Sequence, residues 1–528
     1  MMPKIPRLSQ FRSKCMSVSV TECPFASTIS KNKTLLEQPT HNKKQESIRT
    51  SDEIPGPKGL YDVPFIGTAL QFKPFSEHSI QNVFRLFTSY NKRYGPIVRA
   101  RMGADHTVYL FDPDDIETVF RNDKKHPSRI ELPLTKVHQK RTGTPLALGT
   151  LQEDEWRKRR RPLRNLVQRL QYISKYVPSL STIADDFVDK LEDKEEFNNA
   201  FDQLMEFTSE GVGYLCFQRR LGHIDKTCSC SKSELLKHTT VYLKHLGEQF
   251  FRLPLYKLFR TPIYNSFANS YQFIYNFTKR EIEHFKQISR DSQGNEQCSG
   301  GNEQCSGGNE QCSLIGSLLK DGTLSEAEIC TSLVDIFVGG IDSTASAMTF
   351  LMFHLAQNPD KQERLYEEVK QFNDQEITSE ILQQIPYLKA CLKESFRLVY
   401  PVPGGTIRVL DKDIDIKGYR INQGTQVMLC YGTSCLNEQY IKYPESFIPE
   451  RWLREEKDIV NPFIHLPFGY GPRNCLGQRF AEYQIYTLMI KIFGKYEVSF
   501  PSGKDSIPYR YTAFPLPTES VTFDIRKR

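Results

Sequence analysis

Apolar positions recur at helical spacing over most of the chain and at strand spacing only in short stretches. The helical period predicts a helix over 77–94, long helical stretches over 153–290 and 314–400, and a buried helix from Gln478 to Phe493. Within the second stretch, one almost wholly apolar helix is expected near 330–357 and another over 387–399. Two short strands are expected over 97–111, and more in the Pro- and Gly-punctuated stretch 401–450. The expected class is mainly α with a small β region, in one large domain. No run of 18 or more apolar residues occurs, so no membrane-spanning helix is predicted.

Three stretches depart from this pattern. The first is the leader, residues 1–50, in which Lys4, Arg7, Arg12 and Lys14 precede the first acidic residue, Glu22. Basic, Ser-rich and acid-poor composition fits a mitochondrial transit peptide or a disordered basic tail. The second, Ile54-Pro-Gly-Pro-Lys-Gly59 followed by Pro64, cannot be helical and opens the domain. The third is a repeat: Gly294-Asn-Glu-Gln-Cys-Ser-Gly300 recurs at 301–307 and, truncated, at 308–313. Polar copies of this kind bury no face, so 293–313 is expected to be a flexible loop, and duplication accounts for Cys298, Cys305 and Cys312.

A hydrophobic share of 39% with 25% charged residues is ordinary for a globular protein, and a net charge of +7 does not argue for nucleic acid. The 13 cysteines are scattered without the paired spacing of a disulfide framework, which points to a reducing compartment. His223, Cys228 and Cys230 fit no zinc template and read as an exposed loop.

Chemistry concentrates in Phe468-Gly-Tyr-Gly-Pro-Arg-Asn-Cys475-Leu-Gly477. A cysteine at a helix N-terminus is held as thiolate by the positive dipole end and the free N–H groups there. Gly469, Gly471 and Gly477 let the backbone approach a flat cofactor, and Arg473 is a fixed cation suited to a carboxylate. A buried cysteine beside a tight turn is the plain alternative, and the full spacing argues against it. In the apolar helix, Gly339-Gly340 costs about 1 kcal/mol per glycine relative to alanine, so something approaches the backbone there. Either a second helix packs into that notch, or a ligand lies against it with Asp342 and Ser343 relaying protons. Glu394 and Arg397 can pair along one helix face, and Trp156 and Arg160 lie one turn apart.

The Phe-x-x-Gly-x-Arg-x-Cys-x-Gly loop resembles the haem-binding loop of the cytochromes P-450, and the resemblance extends over about 54–525. It implies the cytochrome P-450 fold, haem b as cofactor and Cys475 as the axial ligand of the iron. Phe468, Arg473 and Gly477 would then contact the haem, and Trp156, Arg160 and Arg408 (after Pro403-Gly404-Gly405) would join Arg473 on its propionates. Asp342, Ser343 and Thr344 would form the oxygen-activation segment, with serine where the family usually has threonine. Glu394, Arg397 and Arg451 would form a buried salt-bridged trio.

Tyr387-Leu-Lys-Ala-Cys-Leu-Lys-Glu394 is similar to the segment on which mitochondrial members dock a ferredoxin, through Lys389 and Lys393. Gln478-Arg479 departs from the two arginines often found there. The lack of an apolar N-terminal anchor favours mitochondria, at the matrix side of the inner membrane, over the endoplasmic reticulum. The stretch Phe250 to Phe277 matches the mobile segment over the substrate entrance and is expected to touch a membrane peripherally or pack in the core. The implied activity is insertion of one oxygen atom from dioxygen into an apolar steroid, sterol or other lipid. Electrons would come from NADPH through ferredoxin reductase and ferredoxin. The alternatives are a haem-thiolate isomerase or dehydratase, a non-enzymatic haem-binding protein, and a microsomal-type enzyme served by a flavoprotein reductase.

Overall fold

The computed structural model describes residues 48–224, 231–295, 313–402, 404–454 and 461–528. The expected transit peptide (up to residue 47), the repeat (from residue 296 to 312), Cys228, Cys230 and Pro403 lie outside the described residues. Residues Ile48–Arg528 form one compact unit. The end of the expected leader belongs to it, because Arg49 and Thr50 pair in parallel with Tyr419 and Arg420.

Nine helices and four strands position the site. They are α1 (Val83–Tyr94), α2 (Pro133–Thr142), α3 (Glu153–Val167), α4 (Ala200–Phe217), α5 (Ser231–Glu248), α6 (Pro262–Asn295), α7 (Glu326–Ala356), α8 (Pro386–Leu398) and α9 (Gln478–Lys495). The strands are β1 (Ile97–Met102), β2 (Asp105–Leu110), β3 (Thr406–Val409) and β4 (Gln426–Leu429). They form a sheet in the order β1-β2-β4-β3. The β2–β4 pair is parallel, and the two outer pairs are antiparallel. The class is mainly α with small sheets, as the periodicity predicts. The helix expected from residue 77 starts later. Ser79 caps a 3-10 turn over Ile80–Asn82 before α1 begins.

The centre of the fold is α7. Ser325 and Glu328 close a capping box at its start, each satisfying an amide that the first turn leaves unpaired. Its apolar residues, from Leu333 to Leu355, lie in the main core. Length and composition alone would let α7 cross a membrane, against the sequence expectation, but 67% of its apolar window is buried inside the protein. It is a core helix, and each fully buried Leu or Phe contributes about 1.5–3 kcal/mol relative to exposure.

Candidate active site

The cysteine loop is built from two left-handed glycines. Gly469 and Gly471 have φ of +72° and +73°, a region that costs other residues a Cβ clash. The loop folds back so that the Cys475 N–H donates to the Phe468 carbonyl at 2.7 Å. The Phe468 ring packs edge-on against Phe396, centroids 5.6 Å apart. Helix α3 holds the far side. Arg160 Nη2 donates to the Asn474 carbonyl at 2.7 Å and to its Oδ1 at 2.9 Å, and Gln168 Nε2 donates to the Cys475 carbonyl at 2.9 Å.

Cys475 is exposed, whereas the other described cysteines, Cys216, Cys330, Cys391, Cys430 and Cys435, are buried. Its exposure is to an internal recess, because burial still pushes its thiol up; the Gly477 N–H, Arg160 and Arg129 offset part of this. The Gly477 N–H, at the start of the next helix, is the largest of the influences that favour the thiolate. Helix α9 starts at Gln478 with Gly477 as its cap, two residues beyond the cysteine. Deprotonation would come from a coordinated metal, which ionises a thiol outright. No cluster of three or more His, Cys, Asp or Glu side chains that could hold a bare metal ion occurs among the described residues.

Beside the loop, four guanidiniums converge. Arg160, Arg408 and Arg473 are buried, and Arg473 stacks on the buried Trp156 with its Cζ 3.9 Å from the ring centroid. Arg473 donates to the carbonyls of Pro127 and Leu151. Arg408, on β3, is paired by Asp123 at 2.8 Å. The fourth, Arg129, donates to the Arg473 carbonyl at 2.8 Å. Sequence reasoning missed it, because a lone arginine in a loop has no spacing to give it away. Burial and mutual repulsion push Arg129 down to about 10 and Arg473 down to about 9, and burial pushes Arg160 down to about 10. The Nε atoms of Arg129 and Arg160 are buried without a protein acceptor. A cluster this short of anions fits a ligand that brings two carboxylates, as haem does.

Opposite the arginines, α7 resolves the two readings of its glycine pair, one at each residue. A Cβ on Gly340 would come within 2.7 Å of Val212 Cγ2, so Gly340 is a packing notch for α4. A Cβ on Gly339 would meet nothing within 4 Å, and Gly339 is exposed in the middle of a buried helix. It faces open space inside the protein, as a flat ligand requires. Ser343 Oγ donates back to the Gly339 carbonyl at 2.6 Å and keeps accessible surface, whereas Thr344 is buried. Asp342 is fully buried, and both its carboxylate oxygens lack a well-formed hydrogen bond. Burial pushes it up to about 7, while the nearby Thr240 hydroxyl of α5 acts in the opposite sense.

The structure brings Glu394, Arg397 and Arg451 together. Arg397 grips the Glu394 carboxylate with two bonds of 2.9 and 3.0 Å, and Arg451 Nε adds one of 3.0 Å. Trp452 Nε1 and the Ile448 N–H complete the shell at 2.7 and 2.9 Å. On the outer face of α8, Lys393 is exposed and Lys389 half-buried. Both, with Arg479, act on Glu482 of α9.

Next to Arg160, Arg159 turns the other way. It reaches Glu328 at 2.8 Å and Thr331 Oγ1 at 3.1 Å, at the start of α7. A surface cavity of about 740 Å³, lined by Arg157, Arg161 and Asp321 among others, contains neither Cys475 nor Gly339. His223, expected in an exposed loop, is instead buried against Ser209.

An exposed cysteine in a glycine-built loop, an arginine cluster short of anions and an exposed helix glycine together fit a haem-thiolate protein of mainly helical fold. A sequence model of the family described as Cytochrome P450 matches residues 57–523, and the chain belongs to that family of haem-dependent monooxygenases. The chain is 27% identical to a probable cytochrome P450 12b2, mitochondrial, of Drosophila melanogaster, over 92% of this chain and 91% of that one. It is 26% identical to the mitochondrial 1,25-dihydroxyvitamin D(3) 24-hydroxylase of Mus musculus, over 85% and 84%. The solved structure of retinoic acid bound cyanobacterial CYP120A1 covers 91% of this chain and 100% of its own, with a TM-score of 0.72 at 20% identity, a likeness of fold.

Proposed function

We propose that this protein is a mitochondrial monooxygenase that places one oxygen atom of dioxygen into an apolar, lipid-like substrate. Its electrons would come from NADPH through a ferredoxin reductase and a ferredoxin. The observation that carries the reading is Cys475, exposed in a loop that Arg160 of the arginine cluster holds at Asn474. The mitochondrial names of the relatives, the basic leader of 1–50 and the Lys389/Lys393 face support the location and the electron donor. The catalytic domain is taken as 54–525.

Haem supplies, when bound, an iron at which dioxygen is activated. Cys475 would hold that iron, with Phe468 and Gly477 against the ring. Trp156, Arg129, Arg160, Arg408 and Arg473 would bind the carboxylates. Asp342 would hold a proton near neutrality, because burial raises its carboxyl to about 7. Ser343 would pass it on by swinging its Oγ off the Gly339 carbonyl, with Thr344 as the second hydroxyl. Glu394, Arg397 and Arg451 would brace the proximal wall. Leu253, Leu255, Leu258, Phe259 and Ile263 are exposed around Lys257 and Arg260, a surface suited to peripheral membrane contact at the inner membrane. Phe267, Tyr271 and Ile274, farther along the same stretch, pack in the core.

The test is the carbon monoxide difference spectrum of the reduced protein. A strongly red-shifted Soret band is expected, and Cys475→Ser should abolish the shift. A shifted band in that variant would overturn the ligand assignment.

A further inference from the structure

The peptide carbonyls of Arg473, Asn474 and Cys475 follow one another in the cysteine loop, and each takes a hydrogen bond from a side chain outside it. Arg129 Nη2 donates to the first at 2.8 Å, Arg160 Nη2 to the second at 2.7 Å and Gln168 Nε2 to the third at 2.9 Å. The two arginines belong to the cluster that is short of anions. Gln168 does not, and of the three it alone holds the residue that carries the sulfur. It is the C-cap of α3, where its own N–H donates to the Arg164 carbonyl at 3.1 Å.

The direction of this bond is fixed by its neighbours. Arg160 can only donate, so the Asn474 side-chain atom that it meets at 2.9 Å is the oxygen. Gln168 Nε2 faces that same oxygen at 3.2 Å and the Cys475 carbonyl at 2.9 Å. A flipped amide would set its own oxygen against two acceptors. The NH2 group of Gln168 is thus engaged twice by the ligand loop. Folding has little need of it. Cys475 is exposed and Gln168 half-buried, so water would serve the carbonyl, and a neutral hydrogen bond in such a place adds little stability. What the bond does fix is the peptide between Cys475 and Leu476. That peptide leads from the cysteine to the Gly477 N–H, which donates to the thiol. A donor on its carbonyl also draws electron density out of the unit next to the sulfur.

We infer that Gln168 is a positioning residue for the iron ligand: by holding the Cys475 carbonyl it sets how strongly the thiolate donates to the metal. This rests on the haem-thiolate reading of the site. It gives α3 a role at the cysteine separate from that of its arginines, as groups behind a metal ligand commonly tune the metal.

The test compares the haem-loaded full-length protein with Gln168→Met, Gln168→Lys and Gln168→Glu. The readouts are the ferric/ferrous midpoint, from spectroelectrochemistry of the Soret band, and the C–O stretch of the reduced carbon monoxide complex. Methionine is close to glutamine in size but has no donor. Gln168→Met should therefore move the reduction equilibrium about tenfold toward the ferric state, about 59 mV for one electron, and lower the C–O stretch. Gln168→Lys keeps a donor and should stay at the native midpoint or move the other way. Gln168→Glu sets an acceptor against the carbonyl and should move at least as far as Gln168→Met. Native midpoints in Gln168→Met and Gln168→Glu would overturn the inference. So would equal shifts in Gln168→Met and Gln168→Lys, because fit rather than donation would then be at work. Failure of the haem-thiolate reading would show differently, as a carbon monoxide band without a red shift in the native protein.

Discussion

Two buried cation clusters lie on either side of the cysteine loop, and they differ in where their anions come from. In one, Glu394 sits between Arg397 and Arg451 and accepts five hydrogen bonds from the chain itself. In the other, four guanidiniums share the single carboxylate of Asp123, and Arg129 and Arg160 bury donors with no protein acceptor. The first is closed but for one Arg451 nitrogen. The second is chemically incomplete. A buried charge is stable only when paired, so the closed cluster marks architecture and the incomplete one a binding site. Composition alone would not separate them, because both are arginine-rich, buried and built on helix and loop together.

The comparison can be broken most forcefully at Glu394. Glu394→Gln leaves two guanidiniums buried without their carboxylate and should cost about 3–5 kcal/mol, read as a lower denaturation midpoint and a largely haem-free product. A midpoint near that of the native protein would remove the distinction. Next comes Arg473→Gln, which relieves repulsion in the open cluster. The apoprotein should lose clearly less stability than Glu394→Gln costs, because relieved repulsion offsets the lost Pro127, Leu151 and Trp156 contacts, while haem transfer to an acceptor globin becomes about tenfold faster or more. An effect on apoprotein stability as large as that of Glu394→Gln would show that the cluster is structural.

A smaller effect is expected at Asp342. Its carboxyl lies above the ordinary carboxylate range, so the folded chain keeps a proton that the unfolded chain releases. Its contribution to stability therefore declines as pH rises from about 4 to about 7. Asp342→Asn should flatten that decline in melting temperature between pH 5.5 and 7.5, and equal slopes would refute the assignment. The smallest change is Lys389→Glu with Lys393→Glu. Melting should stay unchanged while ferredoxin binding weakens about tenfold at low salt and less at high salt. An unaltered dissociation constant would move the docking face elsewhere.

Much of this was legible in the chain. The period of apolar positions marks α7, α8 and α9 to within a few residues, because each has a buried face long enough to impose it. The cysteine loop is readable because its glycines and arginine are tied to fixed positions around Cys475. Arg129 was not readable, since its role comes from a loop folding across a distance of more than 300 residues to the Arg473 carbonyl. The division of labour between Gly339 and Gly340 was also hidden. It depends on Val212 of another helix, and two adjacent glycines look alike in sequence.

Arg159 and Arg160 bear on one further property, the spacing of the recess. The first is fastened to the start of α7 and the second to the residue before Cys475. They are neighbours in sequence, about 3.8 Å apart at Cα. Helix α3 thus works as a common reference: the start of α7 and the residue before Cys475 are tied, through two arginine side chains, to adjacent residues of one helix. Slippage of either wall would have to stretch or break its arginine contacts.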